Sequence, residues 1–218
     1  MNNILNSIKL DYYILKSSDF RRMIIISIVP LIAGVLSKDP LLILGLAMMT
    51  SGFFMGTIFA VIEKSNLNKL YGVIPVEKRQ TVIGRYVFTL LAGIAIAAAG
   101  TILTLIAAFI MNIGISSFAF SAWLGGSFLL YCFLISAQFP LYFVVDYSKS
   151  AAFANLPYIL LILIGVFFIK KYPQIFTQSV AFFTHYPYLI WVIGILGALL
   201  LLGISMAISI ALYNKHEL

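Results

Sequence analysis

Very little in this sequence can do covalent chemistry. His185 and His216 are its two histidines and Cys132 its one cysteine, so a single chain can assemble neither a metal-binding cluster nor a disulfide framework. There is no H-E-x-x-H pattern to pair zinc with a general base, and no G-x-x-x-x-G-K-[ST] loop to cradle a nucleotide's phosphates. The apolar stretches hold no Asp, Glu or Lys that could serve as acid, base or proton relay, and the many hydroxyls lack a neighbouring base to activate them. An intramembrane enzyme and an ion-coupled carrier are both disfavoured. The polar groups left over have positional value: Gln138 with Pro140, and a charged segment between Glu63 and Arg85.

The elements that carry these residues follow from composition. At 218 residues, 62% hydrophobic and 10% charged, with mean hydropathy +1.08, the chain is far from a soluble domain, in which roughly a quarter of residues are charged. Charge is absent from 23–37, 41–62, 86–145, 150–169 and 172–214. A helix needs about 20 residues to cross about 30 Å of hydrocarbon. The 60-residue run must therefore fold back, and the polar hinge Asn112-Ile113-Gly114-Ile115-Ser116-Ser117 marks the place. In the last run, 188–213 is a clean span. The preceding 172–187 carries Pro173, Gln174, Thr177, Gln178, Thr184, His185 and Pro187, which suits an outer interfacial segment or a re-entrant hairpin buried against protein.

The expected fold is an all-α integral membrane protein of one domain, 1–218, with six transmembrane helices near 21–37, 40–62, 85–111, 117–145, 151–169 and 188–213. A β-barrel would need segments of about ten residues with alternating polarity, and 93–108 or 196–210 show none. Pro30, Pro140 and Pro157 are expected to bend their spans. Gly52 and Gly56 allow close helix approach, assigned to packing within the chain.

The net charge of +7 reads as topology. With six spans, eleven of the fourteen Lys and Arg fall on the side of the termini, against Lys38, Lys170 and Lys171 on the other. Both termini are therefore expected to be cytoplasmic in a multi-pass cell-membrane protein. The basic residues are too few and too scattered to track a nucleic acid. Four basic residues before the first apolar run, with no small-x-small site closing it, argue against a cleaved leader.

Two segments remain exposed. In 2–18, Ile4, Leu5, Ile8, Tyr12 and Leu15 recur at helical spacing with Lys9 and Lys16 at the flank, the pattern of an amphipathic helix on the inner leaflet against membrane lipid. It is either a passive anchor or an elbow that holds a cytoplasmic partner. In 63–85, Pro75 can open a short helix with Glu77 near its positive end and Lys78 and Arg79 beyond. That segment is either a docking knob or a solvated basic loop that only sets topology. Glu63 is expected to pair with Arg21 or Arg22 at the cytoplasmic boundary. Gln138 and Pro140 combine a polar group with a freed carbonyl, as in a kinked and polar-lined translocation path or in an ordinary packing kink.

An acidic residue closing the second span (Glu63), Ile74-Pro75-Val76 followed by Glu77-Lys78-Arg79, and Arg85-Tyr86 opening the third span resemble the permease subunits of type-2 ATP-binding-cassette exporters. Ile74 stands where leucine is usual, and Glu77 where a small residue is common. The six-span layout, the N-terminal amphipathic stretch and the apolar last outer loop carry the similarity along nearly the whole chain. The resemblance implies a half-transporter without its own engine, paired with a second permease copy or paralogue above cytoplasmic ABC ATPase subunits. ATP and Mg are then expected on those subunits, with no cofactor or metal on this chain. It implies that Pro75, Val76, Glu77, Lys78 and Arg79 form the coupling helix within the 63–85 loop and that 2–18 is the connecting elbow. Within the family, this small chain resembles the permeases of Gram-positive exporters for phenol-soluble modulins and related amphipathic peptides. An uncharged path with 18 Phe and 12 Tyr suits hydrophobic or amphipathic cargo. The competing function is a non-transporting membrane assembly or immunity factor that binds peptides or lipids without ATP.

Overall fold

The computed structural model describes residues 2–17, 20–65, 78–154 and 156–215. Among them there is no strand, and ten helices follow one another: α1 Asn2–Ser17, α2 Phe20–Leu36, α3 Leu41–Met55, α4 Thr57–Lys64, α5 Lys78–Met111, α6 Ser117–Tyr142, α7 Tyr147–Ala154, α8 Leu156–Lys171, α9 Pro173–His185 and α10 Pro187–Lys215. Ser18, Pro75, Val76, Glu77 and His216 lie outside the described residues, as do the side chains of Arg21 and Arg22.

Among the described residues, four stretches are long and apolar enough to cross a membrane: Leu41–Lys64, Lys78–Met111, Ser117–Tyr142 and Tyr188–Lys215. The other two expected spans correspond to α2 and α8, whose described parts hold 17 and 16 residues and each begin next to residues outside the described set. The hinge expected at 112–117 is present. α5 stops at Met111, Asn112 takes a φ of 55°, and Ser116 caps α6 by accepting from the Ala119 amide at 3.1 Å. Pro157 is the second described residue of α8, next to Asn155, which lies outside the described residues, so the bend expected there is not tested. The second span is one continuous path through Gly56, and Gly52 meets Leu134 of α6 within the same chain, as expected.

Within 172–187, residues Pro173–His185 form one helix, α9, and Pro187 opens α10. Pro173 opens α9, and the hydroxyls of Thr177 and Thr184 bond the carbonyls of Gln174 (2.9 Å) and Ala181 (2.7 Å). These polar side chains are satisfied within their own helix and need no protein cover, so most of the described residues of α9 are exposed.

α5, α6 and α10 form the centre, with α3 packed on α5 and α6. A ladder of hydroxyls joins the three central helices. Pro140 cannot donate to the carbonyl four residues back, and that carbonyl, on Ser136, accepts from Ser205 of α10 at 2.8 Å. With the Ser205 proton so used, the 2.6 Å contact requires Tyr86 to donate to Ser205, and the 2.9 Å contact requires Ser209 to donate to Tyr86. Nearby, Tyr131 of α6 donates to the carbonyl of Thr89 at 2.7 Å, and Thr89 donates to that of Arg85 at 2.7 Å. The freed carbonyl thus pins α10 to α6. Gln138 is 1% exposed in the same helix, so a path past Gln138 and Pro140 would require this packing to part. Tyr86→Phe breaks the relay between two buried serines and is expected to cost about 1–3 kcal/mol, whereas Ser209→Ala removes only its terminal donor and costs about 1 kcal/mol. Thermal unfolding in detergent measures both.

Candidate functional site at the basic end

The end of the bundle that carries Lys64, Lys78 and Lys215 gathers the polar chemistry. α1 packs there against α5 and α4. Its buried face is Asp11, Ile14 and Leu15, with Ile8 half-buried, while Leu5, Lys9, Tyr12, Tyr13 and Lys16 face outward. The apolar stripe expected from spacing is therefore rotated: Leu5 and Tyr12 leave it, and an aspartate joins it. Ile4 is outside the described side chains.

The rotation brings Asp11, 2% exposed, to Arg85, 4% exposed. The guanidinium meets the carboxylate side-on, Nε to Oδ2 at 3.3 Å and Nη2 to Oδ1 at 3.4 Å. Burial pushes the Asp11 carboxyl above the usual carboxylate range, and Arg85 acts against that rise. The other faces of the guanidinium lie over Phe59 of α4, 4.5 Å to the ring centroid, and Phe143 just after α6, at 5.4 Å. Stacking on two rings suits arginine, whose planar cation is weakly hydrated and permanently charged. Phe143 in turn packs on Tyr213 of α10 at 5.4 Å, and Lys78 lies 5.6 Å from the Tyr213 ring centroid. Arg85 is thus the point where α1, α4, α5 and the end of α6 meet, with α10 one ring further on.

Glu63 accepts from the Ser148 amide at 3.0 Å and from its hydroxyl at 2.6 Å, which ties the end of α4 to the first turn of α7. That carboxylate at a helix start is well placed for the dipole. The expected partners Arg21 and Arg22 have no described side chains, so the pairing with Ser148 stands beside that expectation without testing it. A cavity of about 130 Å³ opens here, lined by Glu63, Arg85, Asp146 and the rings of Tyr142, Tyr147 and Tyr213. Burial raises the Tyr147 hydroxyl above its ordinary value, so it stays protonated at neutral pH.

Among the described residues, no group of three or more His, Cys, Asp or Glu could hold a metal ion. The arrangement binds helix ends to one another. Of the residues singled out for coupling, Lys78 and Arg79 are the first described residues of α5, and Lys78 lies by the Tyr213 ring. Asp11 and Ser148 escaped the sequence reading. The signal for Asp11 was its spacing, three after Ile8 and four before Leu15, which puts an acid on a helix's apolar face.

A helical bundle with several stretches able to cross a membrane and a charged junction at one end defines an integral membrane protein. A family model described as ABC-2 family transporter protein matches residues 7–214, and the chain belongs to that family. It is a permease component of an ABC transporter, a multi-pass membrane protein whose family works with a separate ABC ATPase subunit. No curated protein and no solved structure matches the chain.

Proposed function

We propose that the chain is the membrane half of an ATP-driven exporter that moves hydrophobic or amphipathic cargo, such as peptides of the phenol-soluble-modulin kind. α2 and α8 complete six spans, both termini and the 63–85 loop face the cytoplasm, α9 lies at the outer interface, and a second permease copy or paralogue completes the path. α1 rests on the inner leaflet as the connecting elbow. Pro75 to Arg79 form the helix that receives the push of the ATPase.

The observation that carries this reading is the Arg85 junction. The segment that would meet the ATPase has its two ends, Glu63 and Lys78, tied respectively to Ser148 and Tyr213, while Arg85, two turns into α5, holds α1 and the aromatic rings. A displacement of the loop is therefore delivered to four helices at once. Lever-like transmission of this kind needs contacts with discrete alternatives rather than an elastic surface.

Co-purification with candidate ATPase subunits and cargo-stimulated ATP hydrolysis in liposomes test the proposal. Reversing Glu77, Lys78 and Arg79 together is expected to weaken the complex at least about tenfold and to abolish the stimulation. An unchanged complex with unchanged transport removes the docking role. Peptide or lipid binding with no ATPase partner supports the assembly or immunity factor instead.

A further inference from the structure

Between α2, α3 and α5 lies an apolar slot of about 260 Å³, lined among others by Leu15, Pro30, Ala47, Met55, Ile96 and Gly100. It follows α3 from Ile43 to Met55, about 18 Å at the rise of a helix, so it is long and narrow. Its two polar wall residues are already satisfied: Thr50 donates to the carbonyl of Leu46 at 2.8 Å, and Ser51 to that of Met48 at 2.7 Å. Water would find no partners there, and an apolar cavity of roughly 150 Å³ already stays dry and takes up a benzene-sized ligand. The slot lies along a helix that crosses the membrane, so the surrounding solvent is hydrocarbon.

The mouth of the slot is formed by α1. Leu15 closes its basic end, and the adjacent Lys16 is exposed on the face that also carries Lys9, Tyr12 and Tyr13. Tyrosine and lysine together are the composition of a membrane interface, where the ring sits at headgroup depth and the ammonium meets phosphate. We propose that this slot binds one acyl chain of an anionic phospholipid of the inner leaflet, whose phosphate pairs with Lys16. The lipid is then a structural ligand wedged between α1 and the spans. Because Leu15 shares the buried face of α1 with Asp11, which meets Arg85, the lipid braces the elbow in the register that makes this ion pair.

The proposal rests on the membrane placement of α1 given above and not on transport, so its test needs neither ATPase nor cargo. The full-length chain is reconstituted in nanodiscs that contain phosphatidylglycerol with a photoreactive diazirine in its acyl chain, and the adducts are mapped by peptide mass spectrometry. Adducts are expected on α3 and on 96–103 of α5. They should fall at least tenfold when the slot is filled by Ala47→Phe from one wall or Ala99→Leu from another, two variants so that misfolding of one leaves the other informative. Lys16→Glu should keep the site but remove the preference for phosphatidylglycerol over phosphatidylcholine. Adducts spread evenly over the apolar faces of α8 and α10, or unaffected by either filling variant, overturn the proposal. Displacement by an amphipathic peptide but not by excess unlabelled phosphatidylglycerol assigns the slot to cargo and equally overturns it.

Discussion

Replacing Arg85 by methionine is expected to destabilise the protein by about 3–5 kcal/mol at neutral pH, the usual penalty for stripping the partner from a buried charge. Methionine keeps most of the stem and its packing on Phe59 and Phe143, so the loss isolates the charge. Asp11, 2% exposed, then loses the charge and the hydrogen bonds of Arg85 that lower its pKa and must remain a buried carboxylate or take up a proton. The sign of the pH dependence follows. A carboxyl whose folded pKa is raised binds more protons in the native state than unfolded, so the variant should gain stability as pH falls from neutral towards that raised value. An exposed salt bridge would show the opposite trend. Asp11→Asn alone should cost less, because burial already disfavours the carboxylate and Arg85 retains two aromatic faces. The double variant Arg85→Met with Asp11→Leu should recover most of the loss, since an apolar pair of similar volume replaces a buried ion pair at little cost. Thermal unfolding in detergent between neutral and mildly acid pH measures all three.

The expected stability and the proposed function meet in this pair. An elbow held only by apolar contact could slide along α5, whereas a side-on arginine and carboxylate fix one register. Arg85→Met should therefore loosen α1 even at acid pH, where stability is partly restored, and limited proteolysis of residues 2–17 reports that separation.

What could be read from the chain alone follows from which signals are local. The hinge at 112–117 was legible because Asn, Gly and Ser interrupt a charge-free run, and the structure ends one helix at Met111 and caps the next with Ser116. The freed carbonyl was legible because a proline states its own missing donor; its acceptor role towards Ser205, 69 residues away, was not. The α1 face illustrates the limit most sharply. Hydrophobic spacing favoured Leu5 and Tyr12, yet tertiary packing turned Asp11 inward because an arginine on another helix compensates it, and no periodicity encodes that. Segment 172–187 was left between an interfacial and a re-entrant course because its threonines count as polar burdens, and the structure shows Thr177 and Thr184 each bonding the backbone of their own helix. The coupling role expected of Pro75, Val76 and Glu77 was reached by resemblance, and these residues lie outside the described ones.

Gly93→Ala is the second change expected to have a large effect, through crowding. Gly93 is buried on α5, and a methyl there would fall on the ring of Tyr131, against Cε1 and Cζ. The ring has nowhere to go. Tyr131 is 1% exposed and packs beside Phe128, and its hydroxyl is committed to the Thr89 carbonyl at 2.7 Å. Any shift that clears the methyl gives up that bond and leaves a buried carbonyl and hydroxyl short of a partner. Overpacking of about 1–3 kcal/mol and a lost buried hydrogen bond of about 1 kcal/mol act together, so a cost of about 2–4 kcal/mol is expected. Gly203→Ala supplies the control, because nothing lies within 4 Å of its added methyl and alanine is the better helix former, which makes it neutral to slightly stabilising. The crowding account requires that Gly93→Ala cost almost nothing in a Tyr131→Ala background, since the ring that resists the methyl is gone. If the penalty persists in that double-mutant cycle, measured by unfolding in detergent, the close approach of α5 to α6 at this level is not what glycine serves.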